Sequence, residues 1–550
     1  MANEFFDEKK YGHISTDKLQ FANEGVRLTD KKFSDKPIGY FKDAWIRFCK
    51  NKASIVALCI IILIFLFAII APLVETRYDS GFMDTYYQRR PPILQWAYNL
   101  GIDGTQEREF TDKALVTAYA IGLGAYNVDD INAAGDKPVS ASISDTIDGF
   151  KFQPIRKVTK RFTKKDSSTK QDTTLYKAKI DRYLEVGFLY MDIEQGEYNR
   201  ILNWQKETGR QVLYPLVAEN DYNYDKLIGS PKSANYWYKT DAKGYPVKTA
   251  TDGSMRRISL TNHDGTVDTN ISLEDNYLRD SDGNLVFYKR VGGGTMETSL
   301  FRIRVLYYNY YIYQNGFEPN YIMGTDSQGY DLALRLAEGI QLSIFISVFV
   351  CAINFVIGAL YGSVEGYYGG AIDIIMERIS DILADVPFIV VATLFQLHLA
   401  KKVGPLLSLI FAFVMTGWIG IAARVRSQFY RFKNQEYVMA ARTLGASDTR
   451  IIWKHIFPNT LGTIITASAL AIPGFIFSES MLSFLGIVKL GGAGKTSLGT
   501  LLSDASAIWM NYPHLMVFPA LVISLLMISF NLFGNGLREA FNPSLRGTEQ

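Results

Sequence analysis

The stretch Ile340–Val364, IQLSIFISVFVCAINFVIGALYGSV, runs for 25 residues without an Asp, Glu, Lys or Arg. An α-helix rises 1.5 Å per residue, so about 20 apolar residues cross the roughly 30 Å hydrocarbon core of a bilayer. Buried helices of soluble proteins rarely lack charge over such a length. The stretch therefore predicts a membrane-spanning helix, and it decides the fold class of the chain.

Similar charge-free runs occur before and after this stretch. Four of them are long enough to span a bilayer, and a fifth, Val386–Ala400, becomes long enough if its helix begins near Ile379 and includes Asp381 and Asp385. We therefore expect an α-helical polytopic membrane protein with six transmembrane helices. The predicted spans are 53–74, about 340–364, 380–400, 403–423, 459–479 and 513–535.

Basic residues predict the orientation of these spans. Residues 1–52 contain eleven Lys and Arg, and the loop 424–458 contains seven. Six spans place both segments on one side, which the positive-inside rule assigns to the cytoplasm. We expect a multi-pass protein of the plasma membrane, in contact with membrane lipid, whose N-terminal arm 1–52 and C-terminal tail 544–550 are both cytoplasmic.

Composition narrows the possible functions. The net charge is only +3, which gives no reason to expect a nucleic-acid partner. The three cysteines and five histidines are scattered, so we predict neither a metal site nor catalytic residues. The segment Gly491–Thr496, GGAGKT, resembles a phosphate-binding loop only superficially, because Lys489 stands where that loop requires its first glycine.

Residues 75–323 form one long segment between the first two spans. Alternating polar and apolar residues on both sides of Asp166–Asp172 predict a β-hairpin, and Asp-Gly pairs at Asp252, Asp264 and Asp282 are further turn candidates. Residues 192–210 have a helical pattern. We expect an extracellular α+β domain, long enough to bury a core of its own.

Tyrosine is concentrated in this domain, with 25 of the 33 tyrosines between Tyr78 and Tyr330. The densest stretch contains Tyr307, Tyr308, Tyr310 and Tyr311. One interpretation is an external docking surface of aromatic rings, and the other is an element packed inside the domain.

Acidic residues suggest a second candidate region. Asp373, Glu377, Asp381 and Asp385 follow one another at four-residue steps, which places them on one helix face. They could line a water-filled vestibule or form a solvated surface; the vestibule interpretation uses Asp381 and Asp385. Glu479, at the end of the fifth span, could line a pore or cap the next turn.

The loop 424–458 contains EYVMAARTLGASD at residues 436–448, which predicts a short helix over about 435–444. Gly445 suits the left-handed position that ends a helix, and Ser447 or Asp448 can begin a second helix. Pro458 is expected to end that second helix before the next span. Small side chains at Ala440 and Ala441 leave room for the close approach of another protein.

This segment resembles the EAA loop of ATP-binding-cassette (ABC) importer permeases, and in particular the C-type permease of the dipeptide, oligopeptide and nickel group. Other stretches fit the same family, including RPP at 90–92, GTDSQGYD at 324–331, SFLG at 483–486 and FNLFGNGLR at 530–538. The chain departs from the family at Met439, Tyr330 and Asp385. Residues 93–320 have no counterpart in an ordinary member.

The resemblance implies half of a heterodimeric pore with the fold of a type I importer. The partners would be a second permease subunit, two ATPase subunits that carry ATP and Mg²⁺, and an extracytoplasmic peptide-binding protein, while this chain would bind no cofactor and catalyse no reaction. The ATPases would dock on the EAA loop through Glu436, Tyr437, Ala440, Ala441, Gly445, Ala446, Ser447, Asp448 and Pro458.

Two other functions remain open from the sequence alone. The same family includes importers of nickel and other small solutes. A chain of a different class, a membrane-anchored enzyme with an external catalytic domain, would leave the EAA loop unexplained, and no catalytic constellation in 76–325 supports it. For the permease interpretation we expect a bacterial protein.

Overall fold

In a computed structural model the chain is mostly helical, with small sheets in the middle of the sequence. The structure describes residues 40–75, 81–94, 101–111, 140–142, 152–165, 172–216, 270–272, 280–292, 300–492 and 495–541, and a few isolated positions between these ranges. The predicted tail 544–550, most of the arm 1–52 and the turn candidates at Asp252 and Asp264 lie outside the described residues.

The helices include five that are long and apolar enough to cross a membrane, and a bent pair that makes a sixth crossing if it is one span. The prediction of an α-helical polytopic membrane protein is confirmed. In chain order the helices are α1 (Tyr40–Lys50), α2 (Lys52–Val74), α3 (Gln195–Thr208), α4 (Tyr307–Asn315), α5 (Leu332–Tyr368), α6 (Gly370–Ala384), α7 (Phe388–His398), α8 (Ala400–Val403), α9 (Pro405–Phe432), α10 (Glu436–Thr443), α11 (Asp448–Phe484), α12 (Leu498–Ser506) and α13 (His514–Phe541).

The span predicted over 380–400 is not one continuous helix in the structure. The chain bends by 73° between α6 and α7. Pro387 lacks an N–H group and disfavours a helical conformation for the residue before it, so it ends one helix and caps the next. As a result Asp381 and Asp385 lie at the end of α6, on the other side of the bend from α7.

Glycines allow α5 to pack closely against α9. A Cβ atom placed at Gly358 would lie 2.8 Å from Ile421 Cβ, and one at Gly366 would lie 2.6 Å from Phe429 Cβ. A Cβ atom at Gly362, which lies one turn from each of these glycines, would lie 2.3 Å from the Ala422 carbonyl oxygen. The three glycines, spaced four residues apart, form one face of α5 on which only a residue without a side chain fits.

The segment between α2 and α5 contains antiparallel sheets, which confirms the predicted α+β region. Its strands are β1 (Thr105–Thr111), β2 (Ser140–Ser142), β3 (Ile155–Lys165), β4 (Asp172–Asp181), β5 (Phe188–Ile193), β6 (Leu213–Tyr214), β7 (Asn270–Ser272), β8 (Tyr288–Val291) and β9 (Leu300–Leu306). One sheet has the order β1-β4-β3, and β3 and β4 flank the predicted hairpin turn. In a second sheet β9 lies between β5 and β6 and also pairs with β8, while β2 pairs with β7.

The tyrosine-rich stretch forms α4 and packs into the core of this external domain. Tyr307, Tyr310 and Tyr311 are buried among the side chains of the second sheet and the segment after α2. Their rings are therefore unavailable to a partner, and the docking interpretation is corrected for these three residues. Tyr308 differs, because its side chain is only half buried.

The chain segments before and after the external domain are hydrogen bonded to each other. The Thr325 N–H donates to the Arg90 carbonyl oxygen at 3.0 Å, and the Arg90 N–H donates back to Thr325 Oγ1 at 2.8 Å. Gly329 has φ of +100° and packs against the backbone of Asp84, so no other residue fits there. These contacts give the RPP and GTDSQG sequences a shared structural role at the base of the external domain.

Candidate coupling site

The segment that follows α9 folds as two helices joined by a tight turn: α10 and the first part of α11. Gly445 has φ of +79° and forms a Schellman motif: the Gly445 N–H donates to Arg442 O at 3.0 Å and the Ala446 N–H to Ala441 O at 3.1 Å. No atom lies within 4 Å of a Cβ built at Gly445. The glycine is therefore required by its backbone conformation rather than by lack of space, as the sequence predicted.

The second helix of the loop is continuous with the following membrane helix, so the expectation that Pro458 separates them is wrong. Ser447 occupies the N-cap position, and α11 runs from Asp448 to Phe484. Residues 451–456 form a π-helical turn, in which the Phe457 N–H donates to Ile452 O, five residues back. Pro458 follows at the start of the next α-helical part, where its missing N–H is tolerated.

Apolar side chains attach this loop to the membrane helices. Val438 of α10 and Ile451, Ile452 and Ile456 of α11 are buried in one cluster with Val425 and Phe429 of α9. Burying side chains of this size contributes about 1.5–3 kcal/mol each. The loop therefore forms one packed unit with the ends of the membrane helices.

Hydrogen bonds add to this packing. The Tyr367 hydroxyl, at the end of α5, donates to Asp448 Oδ1, and Arg442 Nη2 lies 3.4 Å from the same hydroxyl. Asn459 Nδ2 donates to the Tyr437 hydroxyl at 3.3 Å. Partial burial raises the pKa of Tyr437, so its hydroxyl stays protonated at neutral pH.

The opposite side of the loop exposes apolar side chains. Leu444 is 88% exposed and Met439 is 57% exposed, and Ala440 lies beside them in α10. An exposed apolar patch on an otherwise packed element is typical of a protein-binding surface. Tyr437 and Trp453 are further partly exposed aromatic side chains of this loop.

Arg426, to which no sequence pattern assigned a role, holds half of the acidic stripe, the helix face that carries the four acids described above. Arg426 of α9 donates to both carboxylate oxygens of Asp373, at 2.6 and 2.9 Å, and to Glu377 at 2.9 Å, while Glu365 lies 3.5 Å away. The Tyr430 hydroxyl also donates to Asp373 at 2.6 Å. In the sequence Arg426 is one of seven basic residues in 424–458, and no local pattern identified its acidic partners.

The other half of the stripe is exposed. Arg378 Nη1 lies 2.9 Å from Asp381 Oδ2 on the surface of α6, and Asp385 is exposed at its end. The structure thus divides the four acids into a half bound by Arg426 and an exposed half. Their assignment to a vestibule stays a prediction.

Glu479 of α11 is fully buried against α5. This burial corrects the alternative in which it lines an open pore. Ser343 Oγ and Ser483 Oγ each donate to its carboxylate at 3.0 Å. No polar contact of Glu479 in the described part of the chain is with a cation. Hydroxyl donors from two helices therefore satisfy this acid.

The segment that superficially resembles a phosphate-binding loop is a short hairpin. Gly491–Gly492 and Lys495–Thr496 form the antiparallel strands β10 and β11. Within the described ranges, no group of three or more His, Cys, Asp or Glu side chains could hold a metal ion.

Comparisons with known proteins agree with this architecture. Residues 354–547 match the family described as the binding-protein-dependent transport system inner membrane component, and residues 39–92 match the N-terminal TM domain of oligopeptide transport permease C. The oligopeptide transport system permease protein OppC of Bacillus subtilis is 42% identical over 223 residues, which cover 40% of this chain and 72% of that protein. The dipeptide permease DppC of the same organism is 41% identical over 229 residues, covering 40% and 68%. A chain of the inward-facing MetNI methionine ABC transporter aligns with 38% of this chain and 96% of its own length, at 18% identity and a TM-score of 0.32.

The membrane helices and the loop packed beneath them define the permease subunit of an ABC importer. The chain belongs to the family of binding-protein-dependent transport system inner membrane components, with the N-terminal segment of a C-type permease. It is a transport protein rather than an enzyme, and ATPase activity lies in partner subunits.

Proposed function

We propose that this chain is the C-type permease of an ATP-driven importer of oligopeptides or dipeptides, forming half of the translocation pore. The names of its relatives OppC and DppC support the substrate class. Its partners would be a second permease subunit, two ATPase subunits with their ATP and Mg²⁺, and an extracytoplasmic peptide-binding protein. Its location would be a bacterial plasma membrane, with both termini in the cytoplasm.

The observation that carries the proposal is the loop with one packed side and one exposed apolar side. The packed side, built on Val438 and Ile451, holds the loop to the membrane helices. The exposed side, around Met439 and Leu444, is the surface that an ATPase subunit would cover. The proposed docking residues are Glu436, Tyr437, Ala440, Ala441, Gly445, Ala446, Ser447, Asp448 and Pro458.

The continuity of α11 suggests how motion at the loop reaches the pore. Because the second loop helix and the fifth membrane helix are one helix, a displacement at Asp448 would be passed along α11 through its π-helical turn to the membrane part. ATP binding would draw the two ATPases together, move the two EAA loops and open the pore to the outside. The binding protein would then deliver its peptide.

A single substitution on the exposed side tests this proposal. Leu444→Asp places a charge in the surface that the ATPase covers, and we expect the ATPases to be lost from the complex during co-purification. Leu300→Asp, an exposed leucine of the external domain, is the matched control and should leave co-purification unchanged. Normal ATPase recovery with Leu444→Asp would contradict the docking assignment.

The external domain is proposed to form a rim above the pore entrance. Gln106 of β1 donates to the carbonyl oxygen of Asn511, just before α13, and the Arg182 guanidinium lies 6.0 Å from the centre of the Tyr512 ring. The domain therefore contacts the chain segment that leads into the last membrane helix. Replacing 93–320 by a short linker should lower peptide uptake, and unchanged uptake would exclude a role at the entrance.

A further inference from the structure

The external domain contains a cavity that the permease function does not use. Its volume is about 350 Å³, at the lower end of the range of about 300–1,000 Å³ typical of small-ligand sites. It lies between the end of β4, the N-terminal turn of α4 and the chain that follows α3. Its lining includes Phe152, Arg156, Asp181, Arg210, Tyr308 and Glu318.

Two arginine–carboxylate pairs line this cavity. Arg156 Nη2 lies 2.7 Å from Asp181 Oδ2, and Arg210 Nη2 lies 3.0 Å from Glu318 Oε1. Arg156, Arg210 and Glu318 remain between 36% and 56% exposed at their side chains. The exposed Arg210–Glu318 pair contributes only about 0–1 kcal/mol, so a ligand can take over one of its two partners at little cost.

A ligand that bears only one charge would leave the displaced arginine or carboxylate without its counter-ion. A ligand with one amine and one carboxylate can satisfy both members of a pair at once, because it brings a charge of each sign. The cavity is thus complementary to a zwitterion rather than to an anion or a cation.

Aromatic rings supply the apolar part of the wall. The Phe152 and Tyr308 rings are 6.3 Å apart at their centroids. Tyr308 is fixed by α4, whose other tyrosines are anchored in the domain core. Burial raises the pKa of Tyr308, so its hydroxyl remains a hydrogen-bond donor at neutral pH.

We infer that this cavity binds a short zwitterionic peptide, with its termini at the arginine–carboxylate pairs and its side chains against Phe152 and Tyr308. The substrate class rests on the proposed function as a peptide permease. The site itself belongs to the inserted domain, outside the residues that match the family. The domain would then hold peptide beside the pore entrance.

The test measures binding of radiolabelled trialanine to the full chain in lipid nanodiscs, without ATPases or a binding protein. Wild type should bind trialanine saturably, and at least about tenfold more tightly than the N-acetylated, C-amidated peptide. Arg210→Gln and Tyr308→Ala should each weaken binding at least about fivefold. Arg200→Gln is the matched control, because Arg200 pairs with Glu197 in the same domain but does not line the cavity.

Three results would overturn the inference: no saturable binding by wild type, equal binding of the blocked peptide, or equal effects of Arg210→Gln and Arg200→Gln. Uptake by the assembled transporter is measured separately. Peptide binding without peptide uptake would contradict the proposed function but not the site. Peptide uptake without binding at the cavity would contradict the site alone.

Discussion

The hydroxyl of Tyr367, in the last turn of α5, donates a hydrogen bond to Oδ1 of Asp448, the first residue of α11. The Arg442 guanidinium of α10 lies 5.8 Å from the centre of the same tyrosine ring. One side chain therefore joins the second membrane helix to both helices of the coupling loop. If the loop couples the ATPases to the pore as proposed, Tyr367 lies on the path between them.

Tyr367→Phe should weaken coupling without preventing assembly. The change removes one hydrogen bond to a carboxylate, worth about 1.5–3 kcal/mol, and leaves the ring and its packing in place. We expect peptide-stimulated ATPase activity of the reconstituted transporter to fall several-fold while the ATPases still co-purify. Tyr368→Phe, at the exposed neighbouring position, is the control. Equal activities of the two variants would argue against a coupling role for the hydroxyl.

Arg426→Lys should loosen α6 from α9. A lysine ammonium cannot bind two carboxylates in the forked geometry of a guanidinium, so Asp373 or Glu377 loses its partner. We expect a loss of about 1–3 kcal/mol of stability, seen as a lower thermal unfolding midpoint in nanodiscs. Arg424→Lys changes an exposed arginine of the same helix and should have little effect. Indistinguishable midpoints would show that the ion pairs contribute nothing measurable.

Gly445→Ala should destabilise the turn of the coupling loop for a backbone reason alone. A left-handed residue with a Cβ costs about 1–2 kcal/mol, and open space around Gly445 removes any steric cause. We expect weaker ATPase co-purification and normal membrane insertion. Gly420→Ala, at a helical glycine that also has open space, should be neutral or slightly stabilising. Unimpaired assembly of Gly445→Ala would mean that the turn is not required.

Asp84 gives the external domain a defined pH response. Burial raises the pKa of Asp84, although hydrogen bonds from Tyr307 and the backbone act against this shift. The ionised carboxylate therefore costs the folded state free energy above the raised pKa, and this cost disappears as the pH falls through it. When the pH is lowered from about 7 to about 4, the stability of the wild type should rise relative to that of Asp84→Asn. The measurement is the difference in unfolding midpoint at the two pH values.

Asp280 provides the opposite case in the same domain. Hydrogen bonds from the Asn284 and other backbone N–H groups lower the pKa of Asp280. Its contribution is complete above the ordinary aspartate pKa of about 4 and is lost below that, as the pH falls through the lowered pKa, so wild type should lose stability relative to Asp280→Asn only below about pH 4. If Asp84→Asn and Asp280→Asn showed the same pH dependence of stability, the raised pKa assigned to Asp84 would be contradicted.

The sequence by itself determined the membrane character of this protein and the turn between the two helices of its EAA loop. A bilayer core excludes charged side chains and leaves backbone groups without water, so a spanning segment must be a long charge-free helix. Ile340–Val364 meets this requirement by itself, which is why the sequence alone identified it. Gly445 could be assigned to a helix end because its role depends on local backbone geometry. The motifs of the EAA loop were recognisable for the same reason, since they lie within one short segment.

Tertiary structure decided which groups meet across long distances in the sequence. Arg426 lies 53 residues from Asp373, and Ser343 lies 136 residues from Glu479, so no periodicity could pair them. Tyr307 and Tyr308 are adjacent in the sequence, yet one is buried against Asp84 and the other lines a cavity. Local patterns specify helices and turns, whereas the packing of those elements fixes the partners of each buried charge and ring.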